Sequence, residues 1–206
     1  MKPRDRRASR WDAHRRSRRA ELTDAAIAAI RAHGAGVGMD DVAAQAATSK
    51  TVVYRHFTDR TQLYVAVCAR VAEHLLGQVR AAMDAATGPR GKAAAGIEAY
   101  LRLIEHDPEV YRFVVHRAPA AGPVTDLVSL IGDEAAEIIA EQLRRVGLDP
   151  APAVPWGHGV VGLVRAAADN WIARPAGMTR TQLATHITDL AWAGLSGVVA
   201  PQKEDK

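Results

Sequence analysis

Residues 48–63 read TSKTVVYRHFTDRTQL, and within these sixteen positions lie two helix starts, a short polar run, an aromatic and a histidine. Ser49 suits an N-cap, since its hydroxyl can accept a hydrogen bond from an unpaired N–H of the turn that follows. Val52 and Val53 supply apolar contact, while Lys50, Thr51, Tyr54 and Arg55 leave polar groups on the other faces. A helix this short is marginal alone and needs neighbours. Upstream, residues 39–46 (MDDVAAQA) form a second short amphipathic stretch that ends just before Lys50. Two short helices joined by a tight turn make a helix-turn-helix, whose second helix enters the major groove of duplex DNA.

The run Val42-Ala43, Ser49-Lys50, Val53-Tyr54, His56-Phe57, Arg60 and Leu63-Tyr64 resembles the DNA-binding domain of the TetR/AcrR transcriptional regulators over residues 17–65. The family usually has an aromatic where Ile30 stands, Thr or Ser where Gly38 stands, and Gly where Ala47 stands in the turn. Ala47 is therefore expected in a left-handed conformation, where its Cβ costs roughly 1 kcal/mol. Gly38 lacks the hydroxyl that would meet a phosphate. The resemblance implies that Ser49, Lys50, Thr51 and Arg55 face the groove, with Lys50 reading a guanine through O6 and N7. Tyr54 and His56 match phosphate-binding positions, Arg60 is a further backbone clamp, and Gly38 and Met39 complete the contact set. Two alternatives stay open: Tyr54 as a core aromatic with a wet hydroxyl, and His56 as a structural cap.

The 206 residues are enough for one or two compact units, and 48% hydrophobic with 24% charged is an ordinary globular balance. The single cysteine, Cys68, excludes a disulfide framework and suits a cytoplasmic chain. No run of about twenty apolar residues is present, and the basic N-terminus is not followed by an uninterrupted apolar segment, so neither a membrane span nor a signal peptide is expected. The net charge of +4 is unevenly distributed: residues 1–60 hold 13 Lys/Arg against 7 Asp/Glu, and residues 61–206 hold 14 against 16. The first twenty residues carry nine basic side chains beside Asp5 and Asp12. They read either as a solvated tail or as an arm that follows phosphates or enters the minor groove.

In chain order, a first helix is expected to start between residues 11 and 17 and to end at Gly34, a natural C-terminal cap. Leu22, Ala25, Ala26, Ala29 and Ile30 form its buried stripe. Arg15, Arg16, Arg18 and Arg19 would then crowd its N-terminal end, where the helix dipole favours anions, and a phosphate partner would offset that cost. After the motif, Thr58 or Asp59 caps a helix to about residue 85, with Leu63, Val67, Val71, Leu75, Val79 and Met83 four apart. Residues 87–91 (TGPRG) read as a loop. Further helices are expected over 92–106, from Pro108 to before Pro119, over 124–146, over 152–174 and over 179–199, so the fold class is all-α with about nine helices. The domain plan is a basic arm (1–16), a helix-turn-helix domain (17–60), a ligand-binding and dimerisation domain (61–200) and a tail (201–206).

YRFVVHR at 111–117 and DLAWAGLSGV at 189–198 are similar to the fatty-acid and acyl-CoA responsive members of that family. In the family the last two helices of each subunit form a four-helix bundle across a two-fold axis, which sets two recognition helices about one DNA turn, roughly 34–36 Å, apart. The resemblance therefore implies a homodimer on a double-stranded operator, with Leu190, Gly194 and Val198 at the interface or, alternatively, packed within one subunit. Tyr100, Tyr111, Phe113, His116, Trp156, His158, Asn170 and Trp171 place aromatics and a few polar groups among aliphatic helices, the mix of a small hydrophobic ligand's site, although each also suits ordinary core. Arg112 or Arg117 could meet an acidic head group.

The eight histidines have no partner at metal-ligand spacing, and nucleophile motifs, phosphate loops and dinucleotide fingerprints are missing. No metal, no cofactor and no enzyme activity are expected. The expected function is a cytoplasmic, nucleoid-associated, ligand-responsive regulator, more often a repressor in this family. Its alternatives are an efflux-type regulator sensing an aromatic or cationic drug, and a helical dimeric interaction module without DNA binding.

Overall fold

A computed structural model describes the backbone at residues 3–116, 123–174 and 177–199, and the side chains at 11–115, 128–174 and 177–197. It is all-helical, with nine helices and no strand among the described residues. They are α1 (Pro3–His33), α2 (Met39–Gln45), α3 (Lys50–His56), α4 (Arg60–Ala85), α5 (Gly88–His106), α6 (Pro108–His116), α7 (Pro123–Arg145), α8 (Ala153–Ala173) and α9 (Arg180–Val199).

The helix ends follow local chemistry. Gly34 takes φ +81° and its N–H donates to the Ile30 carbonyl at 2.8 Å, closing α1. Asp59 caps α4, its Oδ1 accepting from the Gln62 N–H at 2.8 Å. Two boundaries differ from expectation. α1 begins at Pro3, well before the expected start, because the Arg-rich segment at residues 3–16 has good helix propensity and proline fits a first turn. The arginines at 15–19 consequently lie several turns inside the helix, so the dipole penalty, which is confined to the first turn, does not apply to them. The loop expected at 87–91 is also shorter, since Pro89 sits in the first turn of α5.

The chain forms two compact units. The first takes in α1 to α3, α4 as far as Ala72, and α6; the second takes in α4 from Glu73, α5, α8, α9 and α7 from Thr125. The border expected at residue 60 falls at the start of α4, inside the first unit, and α6 is expected in the later domain. α6 instead packs against α1. Arg31 of α1 forms a bidentate pair with Asp107, at 2.7 and 2.8 Å, just ahead of α6. The Tyr64 hydroxyl of α4 donates to the Val114 carbonyl of α6 at 2.8 Å, and the Tyr64 and Phe113 rings meet at 5.6 Å. The core of this unit is Leu22, Ile30, Val42, Val53, Phe57 and Val67, all essentially without exposure.

In the second unit α5 packs along α9, and α8 touches both. Ile97, Leu101, Ile104, Val164, Ala168, Leu183 and Ile187 are buried. α7 and α8 approach closely at Gly157, where a Cβ would lie 2.5 Å from the Ala136 nitrogen and 2.6 Å from the Gly132 oxygen. Arg180 binds both Glu98, at 2.7 Å, and Glu105, which ties the start of α9 to α5.

Candidate nucleic-acid interface

α2 stops because the chain turns left-handed at Ala47, φ +47°. The Thr48 N–H then donates to the Ala43 carbonyl at 2.9 Å and the Ala47 N–H to the Ala44 carbonyl at 3.1 Å, the paired bonds of a Schellman ending. The expected left-handed alanine is thus present, in the role usually given to glycine. Ser49, in extended conformation, opens α3 by accepting from the Val52 N–H at 3.4 Å. α3 buries Val53 and turns Lys50, Thr51, Tyr54 and Arg55 outward. These four occupy two adjacent i, i+4 pairs, so they share one face of the helix. Tyr54 is 41% exposed, which takes it out of the core.

The remaining residues of the expected contact set divide. Arg15 and Arg16 are exposed and, with Asp12 and Arg19, line one surface recess. Arg18 is paired with Glu21 at 2.7 Å, and the guanidinium beside it lowers the Glu21 carboxyl below its ordinary range. Arg19 serves the fold: its Nη1 donates to the His56 carbonyl at 2.6 Å and its guanidinium lies 4.4 Å over the Phe57 ring. That bond satisfies a carbonyl left open at the end of α3. Met39 is 3% exposed, so its side chain belongs to the core and only its backbone remains for a contact. Gly38 caps α2 with its N–H donating to Asp41 Oδ2 at 2.8 Å. Arg60 donates to the Val37 carbonyl at 3.2 Å, and its Nη2 lies 3.3 Å from where a Gly38 Cβ would be. A side chain at position 38 would therefore press on the Arg60 guanidinium.

His56 is half-buried with Nδ1 unpartnered. Burial, and then the positive charges of Arg15, Arg18 and Arg19, lower its pKa, so the ring is neutral near pH 7. Lys50 Nζ is held by Asp40 Oδ2 at 2.7 Å, and this hydrogen bond raises the lysine pKa. Asp40 is not among the contact residues expected from the sequence. Ten positions separate the two, and no local pattern marks that spacing.

The expected ligand residues fall on both units. Phe113 is buried against Tyr64, and Tyr111 lies beside it on α6, in the first unit. In the second unit, Trp156 packs on a cluster of Ala140, Leu143 and Ala153, and His158 Nε2 meets Asp133 Oδ1 at 3.1 Å. Trp171 Nε1 donates to the Met178 carbonyl at 2.9 Å, bracing the α8–α9 turn; Asn170 is exposed and Tyr100 half-buried on α5. The side chain of His116 lies outside the described residues, as does that of Val198. Of the expected interface residues, Leu190 is 63% exposed, and a Cβ added at Gly194 would meet nothing within 4 Å. Both positions are open in the single chain. Among the described residues, no group of three His, Cys, Asp or Glu side chains is placed to hold a metal ion, and no helix is long and apolar enough to cross a membrane.

Residues 22–67 match the family model of the bacterial regulatory proteins of the tetR family, and residues 78–205 match that of a tetracyclin repressor-like C-terminal domain. The chain is 33% identical to an uncharacterized HTH-type transcriptional regulator of Mycobacterium tuberculosis, over 95% of this chain and 84% of that one. It is 29% identical to the HTH-type transcriptional activator FasR of Mycolicibacterium smegmatis, over 78% of this chain and 74% of that one. Its fold is similar to that of the transcriptional regulator FadR of Bacillus subtilis in complex with stearoyl-CoA, with a TM-score of 0.71 at 14% identity, covering 85% of this chain and 98% of the other. With a helix-turn-helix that turns one polar face outward, and with both family models matched along its length, the chain belongs to the TetR family and is a transcriptional regulator of that type.

Proposed function

We propose that the chain acts in the cytoplasm, at the nucleoid, as a homodimeric repressor that binds a palindromic duplex operator and changes its DNA affinity when it takes up a fatty acyl compound. The DNA half of this reading rests chiefly on the outward face of α3, where Lys50, Thr51, Tyr54 and Arg55 stand together, with Arg15 and Arg16 exposed on α1. Such a face presents donors to base edges, with tyrosine and arginine for the phosphates that flank them. The dimer is supported by what α8 and α9 leave uncovered: Leu190, with Gly159, Gly162, Gly194 and Gly197 open to solvent. Small residues on neighbouring helices let a second pair of helices approach closely.

The acyl ligand is supported by the likeness to FadR of Bacillus subtilis, whose structure holds stearoyl-CoA. Tyr100, Trp156, His158, Asn170 and Trp171 of the second unit are the candidate contacts. A ligand that favours the non-DNA form weakens DNA binding by the same factor as DNA weakens ligand binding.

The test takes the full chain through selection of duplexes from a random library, then gel retardation on the enriched operator with acyl-CoAs of graded chain length. A release of operator that depends on chain length, matched by a raised melting temperature, supports the reading. Silence with every acyl compound and release by aromatic cationic drugs would transfer it to an efflux regulator. A promoter fusion reads the sign, and activation instead of repression would overturn that part. Sedimentation of Gly194→Trp should give monomer; an intact dimer would move the interface elsewhere.

A further inference from the structure

The lysine that opens the recognition helix is not free. Lys50 stands at the first position of α3 and Asp40 in the first turn of α2, and their charged groups meet at 2.7 Å with side chains 51% and 72% exposed. Both halves of the helix-turn-helix are thus joined at the end of α3 that leads into the groove. We propose that Asp40 is a specificity-determining residue for DNA: by holding the Lys50 ammonium it withholds that charge from the phosphate backbone, and leaves its remaining N–H donors for a base edge. This rests on the reading of α3 as the helix that reads duplex DNA.

The two kinds of contact depend on charge in different ways. Phosphate contacts are sequence-independent, and each cation that makes one releases counterions. An ion pair offers nearly no net charge at a distance, so a paired lysine gains little from a phosphate and must also bring a carboxylate towards it. A hydrogen bond to guanine O6 or N7 is short-ranged and directional, and an ammonium has three donors, of which Asp40 engages one. The pair therefore penalises wrong sequences more than the right one, which is how specificity arises from repulsion as well as attraction. Asp40 also suits the start of α2, where the helix dipole favours a carboxylate, and it relieves the cation at the start of α3. Losing that role alone would change folding and leave sequence preference as it is.

The experiment measures affinity of the full chain for its selected operator and for a scrambled duplex of equal length, across a range of salt. Asp40→Asn should raise affinity for the scrambled duplex severalfold and steepen its log–log salt slope by up to about 0.9, the share of one recovered phosphate contact. Operator affinity should rise less, so the ratio between the two falls. In a Lys50→Met background the same substitution should move both affinities equally and leave the ratio alone, while Asp40→Glu in the native background should recover most of it. An unchanged ratio in Asp40→Asn, or an equal fall in the Lys50→Met background, would overturn the proposal. Circular dichroism separates a folding defect, and the Asp40→Glu ratio then decides. If the native chain enriches no sequence at all, the failure is that of the DNA-reading assignment on which the proposal depends.

Discussion

Replacing Ala47 by glycine should stabilise the first unit by about 1 kcal/mol. Ala47 sits at φ +47° between α2 and α3, held there by the paired Schellman bonds from Ala47 and Thr48 to Ala44 and Ala43. A left-handed conformation costs an L-residue about 1–2 kcal/mol through its Cβ, and glycine removes that term. Glycine also gives the unfolded chain more freedom, which returns about 0.4–1 kcal/mol. The first effect wins because the hydrogen bonds that fix the turn are all backbone and survive the change. Native-state amide exchange is the suitable assay, since it resolves the opening of one unit where a whole-chain melt does not. The Ala46 and Phe57 amides, bonded to the Val42 and Val53 carbonyls at 2.9 Å each, report the two helices that flank the turn. Both should exchange about fivefold more slowly in the variant. Unchanged or faster exchange would show that the turn stores no such strain.

Arg19→Ala should weaken the first unit by about 2 kcal/mol, from the lost hydrogen bond to the His56 carbonyl and the lost stacking on Phe57, as read by urea unfolding. In salt titrations of DNA affinity it should change the slope little, whereas Arg15→Ala and Arg16→Ala should each remove about 0.9. Gly157→Ala should destabilise the second unit by about 1–3 kcal/mol despite its better helix propensity, because the new Cβ meets backbone at 2.5 Å; Gly77→Ala, with open space on α4, should instead gain about 0.5–1 kcal/mol, and thermal unfolding distinguishes them. His56 has a lowered pKa in the folded chain, so the unfolded state takes up a proton first as pH falls below about 6.5. Stability should therefore rise with pH across that window and fall on acidification, and His56→Gln should lose less between pH 7 and pH 5 than the native chain does.

What the sequence determined by itself is local. The N-cap at Ser49, the cap at Asp59, the closing glycine at 34 and the left-handed alanine at 47 are all settled by groups within five residues of one another, and each was legible as residue type and spacing. Helical periodicity likewise carried Val53, Leu63 and Val67 to the buried side. Tertiary structure alone decided what the charged residues do. Arg15, Arg16 and Arg19 look alike along the chain, yet Arg19 is spent on a carbonyl 37 positions away and on the ring beside it. Lys50 acquires Asp40, Arg60 reaches back to the Val37 carbonyl, and α6 joins the first unit through Asp107 and Val114. A long side chain can satisfy its charge with any partner the fold brings within hydrogen-bond reach, and periodicity carries no record of which partner that is. The same reason scattered the expected ligand residues: aromatic composition can mark a side chain for burial, but which helix covers it is fixed only when the helices have packed.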